Sequence, residues 1–370
     1  MPHARRRWTR RGFLFTALAA AGAAADGAKL PSFPSEARHY SDPSTDLDVY
    51  RLTDPAYSST LPAYYGRAIP RNGAYLLFAS GRTGSPQPFR LDLKTGETRQ
   101  LAETRDLASG ALTLTPDDRG FCYGAGRSLF LSVFGRKERE IHRVADGWEP
   151  GRGMAVGSGG AAMVETGPGG SRLLLVPLAG GLARTVVESA EAIADPRPRP
   201  SHAGEMLYAA GNQGLWLAGR EAHPPRRLKL AAGSARAAIW APDGRSLLYL
   251  VYPEDPSQLH AIREHWPDTG ADKLVSKTSQ FASFAANRDT SVFAGASANH
   301  ASPHVLLLLR ATGNERTLCE HRSSDPAAVC LIFSPDSQRL YFESDREGKP
   351  AIYSMHLDKL VENTAPEAAK

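Results

Sequence analysis

His300 and His304 stand four residues apart, a spacing that puts two imidazoles on one metal ion when the backbone is helical. Pro303 lies between them and argues against a helix, so Asn299-His300-Ala301-Ser302-Pro303-His304 reads as a solvated loop. His260 and His265 have no third ligand visible beside them. Cys122, Cys319 and Cys330 form no CxxC pair, and no HExxH occurs. An odd number of widely spaced cysteines reads as buried free thiols rather than a disulfide framework, although Cys319 and Cys330 could pair if their strands meet. Gly157-Ser158-Gly159-Gly160 and Gly167-Pro168-Gly169-Gly170 share only glycine content with phosphate-binding loops. No Lys-Ser or Lys-Thr follows either stretch, so hairpin turns are expected. No nucleophile-elbow motif supports Ser/His/Asp catalysis.

The elements that carry these residues follow a repeat. Turn signals occur at Arg71-Asn72-Gly73, Pro116-Asp117-Asp118, Pro242-Asp243-Gly244 and Pro335-Asp336-Ser337. Weaker ones occur at Ser158-Gly159-Gly160, His202-Ala203-Gly204 and Asn287-Arg288-Asp289, and successive turns lie 40 to 48 residues apart. Asp, Asn, Gly and Pro are the residues that tight turns require. Each turn leads into a β-rich run such as Tyr75-Leu76-Leu77-Phe78, Leu247-Leu248-Tyr249-Leu250 or Leu340-Tyr341-Phe342. Four short strands per 40–48 residues is the period of a propeller blade, and seven turns predict seven blades. The last unit has three obvious strands. Asp48-Val49-Tyr50-Arg51-Leu52-Thr53 is expected to supply its outermost strand and close the ring. The fold class is therefore all-β, a seven-bladed β-propeller closed by an N-terminal strand.

The basic balance of the chain is concentrated at its start. Residues 1–25 hold Arg5, Arg6, Arg7, Arg10 and Arg11 and no acid; without those five the 44 basic residues become 39, against 39 acidic. A formally neutral body gives no electrostatic case for nucleic acid. Thr9-Arg10-Arg11-Gly12-Phe13-Leu14, an apolar run from Phe15 and the small residues Ala23-Ala24-Ala25 predict a twin-arginine signal over residues 1–25. Residues 26–47 then read as a linker, 48–362 as the propeller and 363–370 as a tail. The expected location is periplasmic or secreted. No other run of 18 apolar residues occurs, so no stable membrane insertion is expected after cleavage.

Phe333-Ser334-Pro335-Asp336-Ser337 and the residues to Asp345 resemble a TolB-type propeller repeat. More specifically, Asp48 to Thr53, Leu76 to Gly84, Phe89 to Glu97, Trp240-Ala241-Pro242-Asp243-Gly244, Leu318-Cys319-Glu320-His321 and Ser344 to Tyr353 are similar to the oligogalacturonate lyase family, over nearly the whole chain after the signal. The resemblance implies cleavage of short uronate chains by β-elimination. A divalent metal, typically manganese, held by histidines and a glutamine would bind the substrate carboxylate, and a histidine would take the proton.

Those positions are changed in this sequence. The base position is Ala237 beside Arg236, a family arginine position is Gly214, and an early-blade histidine position falls near Thr60. One metal histidine falls at Ser283, the glutamine at about Asp325, and the His-Pro-His pair reads Ala328-Val329-Cys330. The resemblance therefore implies a lyase scaffold with no catalytic residue, no metal ligand and no cofactor. Arg236, Asp325, Tyr64, Tyr65 and Ser283 are the candidates for ligand contact. An arginine could bind a sugar carboxylate and tyrosines could stack on pyranose faces. The expected partner is a uronate oligosaccharide or an envelope protein. The alternatives are a working lyase with a rebuilt site and a TolB-like envelope scaffold.

Overall fold

The computed structural model describes residues 30–211, 214–219, 223–357 and 360. Residues 1–25, where the sequence predicts a twin-arginine signal, and the expected tail from 363 lie outside the described residues. Seven antiparallel sheets follow one another around a ring. Blades one to six run from their innermost to their fourth strand in chain order. Blade five is representative: Ser234–Trp240, Leu247–Tyr252, Ala261–Trp266 and Ala271–Lys277. The seven sequence turns all fall between a blade's first and second strands. They are closed by backbone hydrogen bonds such as Gly73 N–H to Pro70 O and Gly244 N–H to Ala241 O. Among the described residues the helical positions are a 3-10 turn, Pro326–Ala328, and Leu360.

Apolar side chains alternate along the strands and leave each blade with two apolar faces, so no blade can bury its surface alone. Seven buried clusters result, one between each pair of neighbouring blades. The cluster that joins first blade to last contains Leu76, Phe78 and Phe89 from one and Tyr341 and Ile352 from the other.

Ring closure follows the expectation with one correction. Asp48–Arg51 pairs with Ala351–His356 as the fourth strand of blade seven, but it is not the outermost. Arg38–Ser41 lies outside it as a fifth strand. Ser32–Phe33 pairs with Thr98–Gln100 on the outside of blade one. The part of 26–47 that is described is thus a belt tying the two end blades together, not a linker. Asp42, fully buried, anchors it by accepting the Glu320 N–H at 2.9 Å, and Thr45 Oγ1 donates to Leu318 O at 2.8 Å. All three cysteines are free.

The innermost strands carry the device that matters for the site. In blades two to five each has a β-bulge whose central residue takes a positive φ: Gly110 (70°), Gly153 (98°), Asp195 (51°) and Ala237 (46°). A bulge interrupts the alternation and turns extra side chains toward the axis. Two of the four are not glycine, which is the kind of local strain that clusters at functional sites.

Candidate binding site on the propeller axis

The inner strands enclose an axial cavity of about 1300 Å³. Blades three to five give it a cationic wall containing Arg152, Arg197, Arg227 and Arg236, with Asp195 as the acid among them. The first-blade loop from Leu61 to Gly66 reaches this wall from across blade two. Arg67 pins the loop: its N–H donates to Thr113 Oγ1 at 2.9 Å, and its guanidinium donates to Thr115 O at 2.8 Å and to Asp118. The loop thereby delivers Tyr64 and Tyr65, packed edge to face with ring centroids 5.0 Å apart.

The two tyrosines enclose Arg197. Its guanidinium lies 5.4 Å from the Tyr64 ring centre and 5.2 Å from that of Tyr65, and Nη2 donates to Tyr64 Oη. Asp195, at its bulge, is held side-on by Arg152 through Nε (3.2 Å) and Nη2, while Tyr65 Oη donates to Asp195 Oδ1 at 3.4 Å. Gly153 makes room for this packing. A Cβ there would stand 2.7 Å from Tyr65 Oη and 2.9 Å from the Asp195 backbone. Burial raises both phenols above their usual range, with the Arg197 charge opposing it, so neither is ready to ionise.

The candidates for ligand contact divide clearly. Tyr64, Arg236 and Ser283 line the cavity, and Tyr65 belongs to the Arg197 cluster. Arg236 is exposed, with Nε donating to Ser234 Oγ at 3.1 Å and its guanidinium 5.9 Å from the Tyr252 ring. Tyr252 stacks in turn on His260 at 3.8 Å, and His260 Nδ1 lies 2.8 Å from Phe281 O. Asp325 caps the 3-10 turn, accepting the Ala327 N–H at 3.0 Å, and is not among the residues lining the cavity. His300 is exposed in its loop, and His265 is buried 3.4 Å from Asp272.

The structure adds Arg152, Asp195, Arg197, Arg227 and Glu343, which no sequence motif singles out. Gly214, where the family resemblance places an arginine, has a guanidinium beside it nonetheless. A Cβ at Gly214 would lie 3.9 Å from Nε and Nη2 of Arg227, which comes from the neighbouring outer strand. Glu343, on the second strand of blade seven, also lines the cavity; it accepts the Leu61 N–H at 2.5 Å. Burial pushes its carboxyl from the ordinary 4.5 up to about 8, partly offset by that hydrogen bond.

The donors at the expected metal positions do not fit a manganese centre. Ser283 Oγ donates to Pro326 O and Val329 O at 3.3 and 2.8 Å, so the hydroxyl is engaged with backbone. Asp325 is occupied as a cap. Burial holds the Cys330 thiol well above its usual range, and its Sγ donates to Pro62 O at 3.4 Å. Manganese prefers several oxygen or imidazole ligands. Among the described residues no group of three or more His, Cys, Asp or Glu side chains converges as a metal site.

No family model matches the chain. It is 23% identical to the oligogalacturonide lyase of Pectobacterium atrosepticum, over 88% of this chain and 97% of that protein. Among solved structures, an oligogalacturonate lyase in complex with manganese superposes with a TM-score of 0.83 at 23% identity, covering 91% of this chain and all of that one. The oligogalacturonate lyase of Vibrio parahaemolyticus gives 0.82 at 21%, covering 93% of this chain and all of that one.

Proposed function

We propose that this chain, a member of the oligogalacturonate lyase family of seven-bladed propellers by its likeness in sequence and fold over most of its length, binds an acidic oligosaccharide of the uronate class in its axial cavity without carrying out metal-dependent elimination. The observation that carries this reading is the cationic wall: four arginines and one acid from blades three to five, set beside two tyrosine rings. Arginine forks recognise carboxylates, and aromatic faces pack against sugar rings.

β-Elimination needs a group to neutralise the carboxylate and a base to take the adjacent proton. The wall supplies the first. For the second, Ala237 has no ionisable group, Asp195 is engaged by Arg152, and the phenols of Tyr64 and Tyr65 are held neutral by burial. Glu343 lies three blades away around the ring from Arg197 and keeps its proton at pH 7. The test is to incubate the purified protein with oligogalacturonate and follow the ultraviolet absorbance of the unsaturated product. Manganese is added and then chelated, at pH 7 and again at pH 9, where Glu343 is ionised. No turnover is expected under any of these conditions. Chelator-sensitive turnover would establish a rebuilt metal site, and turnover confined to pH 9 would make Glu343 a base.

A further inference from the structure

Arg197 is 5% exposed, and its one ion pair among the described residues, to Asp195, is long and shared. Its Nε and Nη1 are buried without an acceptor. The nearest carboxylate oxygen, Asp195 Oδ2, is 4.0 Å from Nη2, beyond hydrogen-bond range, and that carboxylate is already gripped side-on by Arg152. What Arg197 has instead is one hydroxyl, from Tyr64, and the faces of two rings. Arginine cannot escape burial by losing its proton, so a guanidinium so weakly paired is a standing cost to the fold. The surroundings also fix its position: Trp240 Nε1 donates to the Arg197 carbonyl at 3.0 Å, and the tyrosines close over it from blade one.

We propose that Arg197 is the group that receives the ligand's carboxylate, in a subsite that Tyr64, Tyr65, Asp195 and Gly153 hold in shape. This rests on the binding reading above and assigns its specificity. Together Arg152, Arg197 and Asp195 carry one net positive charge, and both phenols are neutral, which suits a monoanionic carboxylate better than a doubly charged phosphate. Tyr64 Oη accepts from Arg197 and so retains its own O–H to donate to the same carboxylate or to a ring hydroxyl. In such a site an arginine takes over the carboxylate-neutralising task that a metal ion performs elsewhere.

The test compares Arg197→Met, Arg197→Lys and Arg236→Ala by calorimetric binding of trigalacturonate and of its methyl ester, with a melting curve for each protein. For Arg197→Met, affinity for the acid is expected to fall at least about tenfold. Affinity for the ester should change little, and the melting temperature should hold or rise because a weakly paired buried charge has been removed. Arg197→Lys keeps the charge but loses the planar fork and should fall between. Arg236→Ala should cost less than about threefold. Wild-type affinity in Arg197→Met with loss in Arg236→Ala would overturn this assignment while the binding reading stands. A sharp drop in the melting temperature of Arg197→Met would make Arg197 a structural strut and also overturn it. If the wild type binds neither probe, the binding reading itself fails.

Discussion

Deletion of residues 26–54 is expected to lower the melting temperature by more than about 10 °C, because it opens the ring. The deletion removes both outer strands of blade seven and the extra strand of blade one. It exposes the edge of Ala351–His356, including the Leu52 N–H to Ile352 O and Ile352 N–H to Thr53 Oγ1 hydrogen bonds at 2.7 and 3.0 Å. Val49, fully buried in the cluster between blades six and seven, is lost, and Tyr353 and Met355 of that cluster are uncovered. Burial of each such side chain stabilises by about 1.5–3 kcal/mol. The buried Asp42 anchor goes with it, and the Arg82 guanidinium loses both the Phe33 ring 4.0 Å away and its partner Glu36. Differential scanning calorimetry of the truncated and untruncated proteins checks this. Coincident melting curves would mean that the belt does not close the ring.

Glu343→Gln is expected to make the protein more stable than the wild type at pH 9 and little different at pH 5. The carboxyl titrates near 8 in the folded protein because burial disfavours its charge, and near 4.5 in the unfolded chain. Between those values the folded state holds the proton and the unfolded state does not. Stability therefore falls as pH rises through that window, by up to about 5 kcal/mol once both forms are ionised. Glutamine keeps an acceptor for the Leu61 N–H and has no proton to lose. Melting temperatures of the two proteins, measured from pH 5 to pH 9, should diverge steadily up to pH 8 and then run parallel. Curves that stay parallel throughout would place the Glu343 carboxyl in an ordinary solvated environment.

The architecture is legible in the sequence because tight turns demand particular residues. All seven signals, down to Ser158-Gly159-Gly160, sit where a blade's first strand meets its second. The belt is less legible. Its strands are short and lie on sheet edges, where Pro31, Pro34 and Pro43 are tolerated, so the segment carries the composition of a linker. The tyrosines and Arg236 are reachable through the resemblance to lyases. Arg197 is not, because Ala194-Asp195-Pro196-Arg197-Pro198-Arg199-Pro200 reads as a proline-rich loop. It is in fact the bulged inner strand of blade four, and only the bulge decides which of its side chains turn to the axis. Two arginines alternating with prolines, at the place in the repeat where every other unit has an inner strand, are the available signal. Glu343 gives none: its strand reads Arg-Leu-Tyr-Phe-Glu-Ser, and its perturbation comes from burial that only the folded ring creates.

We propose that the axial cavity recognises an acidic sugar chain through its arginine wall and needs no metal to do so. Titration calorimetry of the purified protein with trigalacturonate in chelator-treated buffer tests it most directly, with the neutral methyl ester as control and the salt concentration varied. Saturable binding of the acid that weakens as salt is raised, exceeds binding of the ester and is unchanged by added manganese is the predicted result. Absence of binding to the acid at low salt, or binding that appears only when manganese is supplied, would rule out metal-free recognition by the arginine wall.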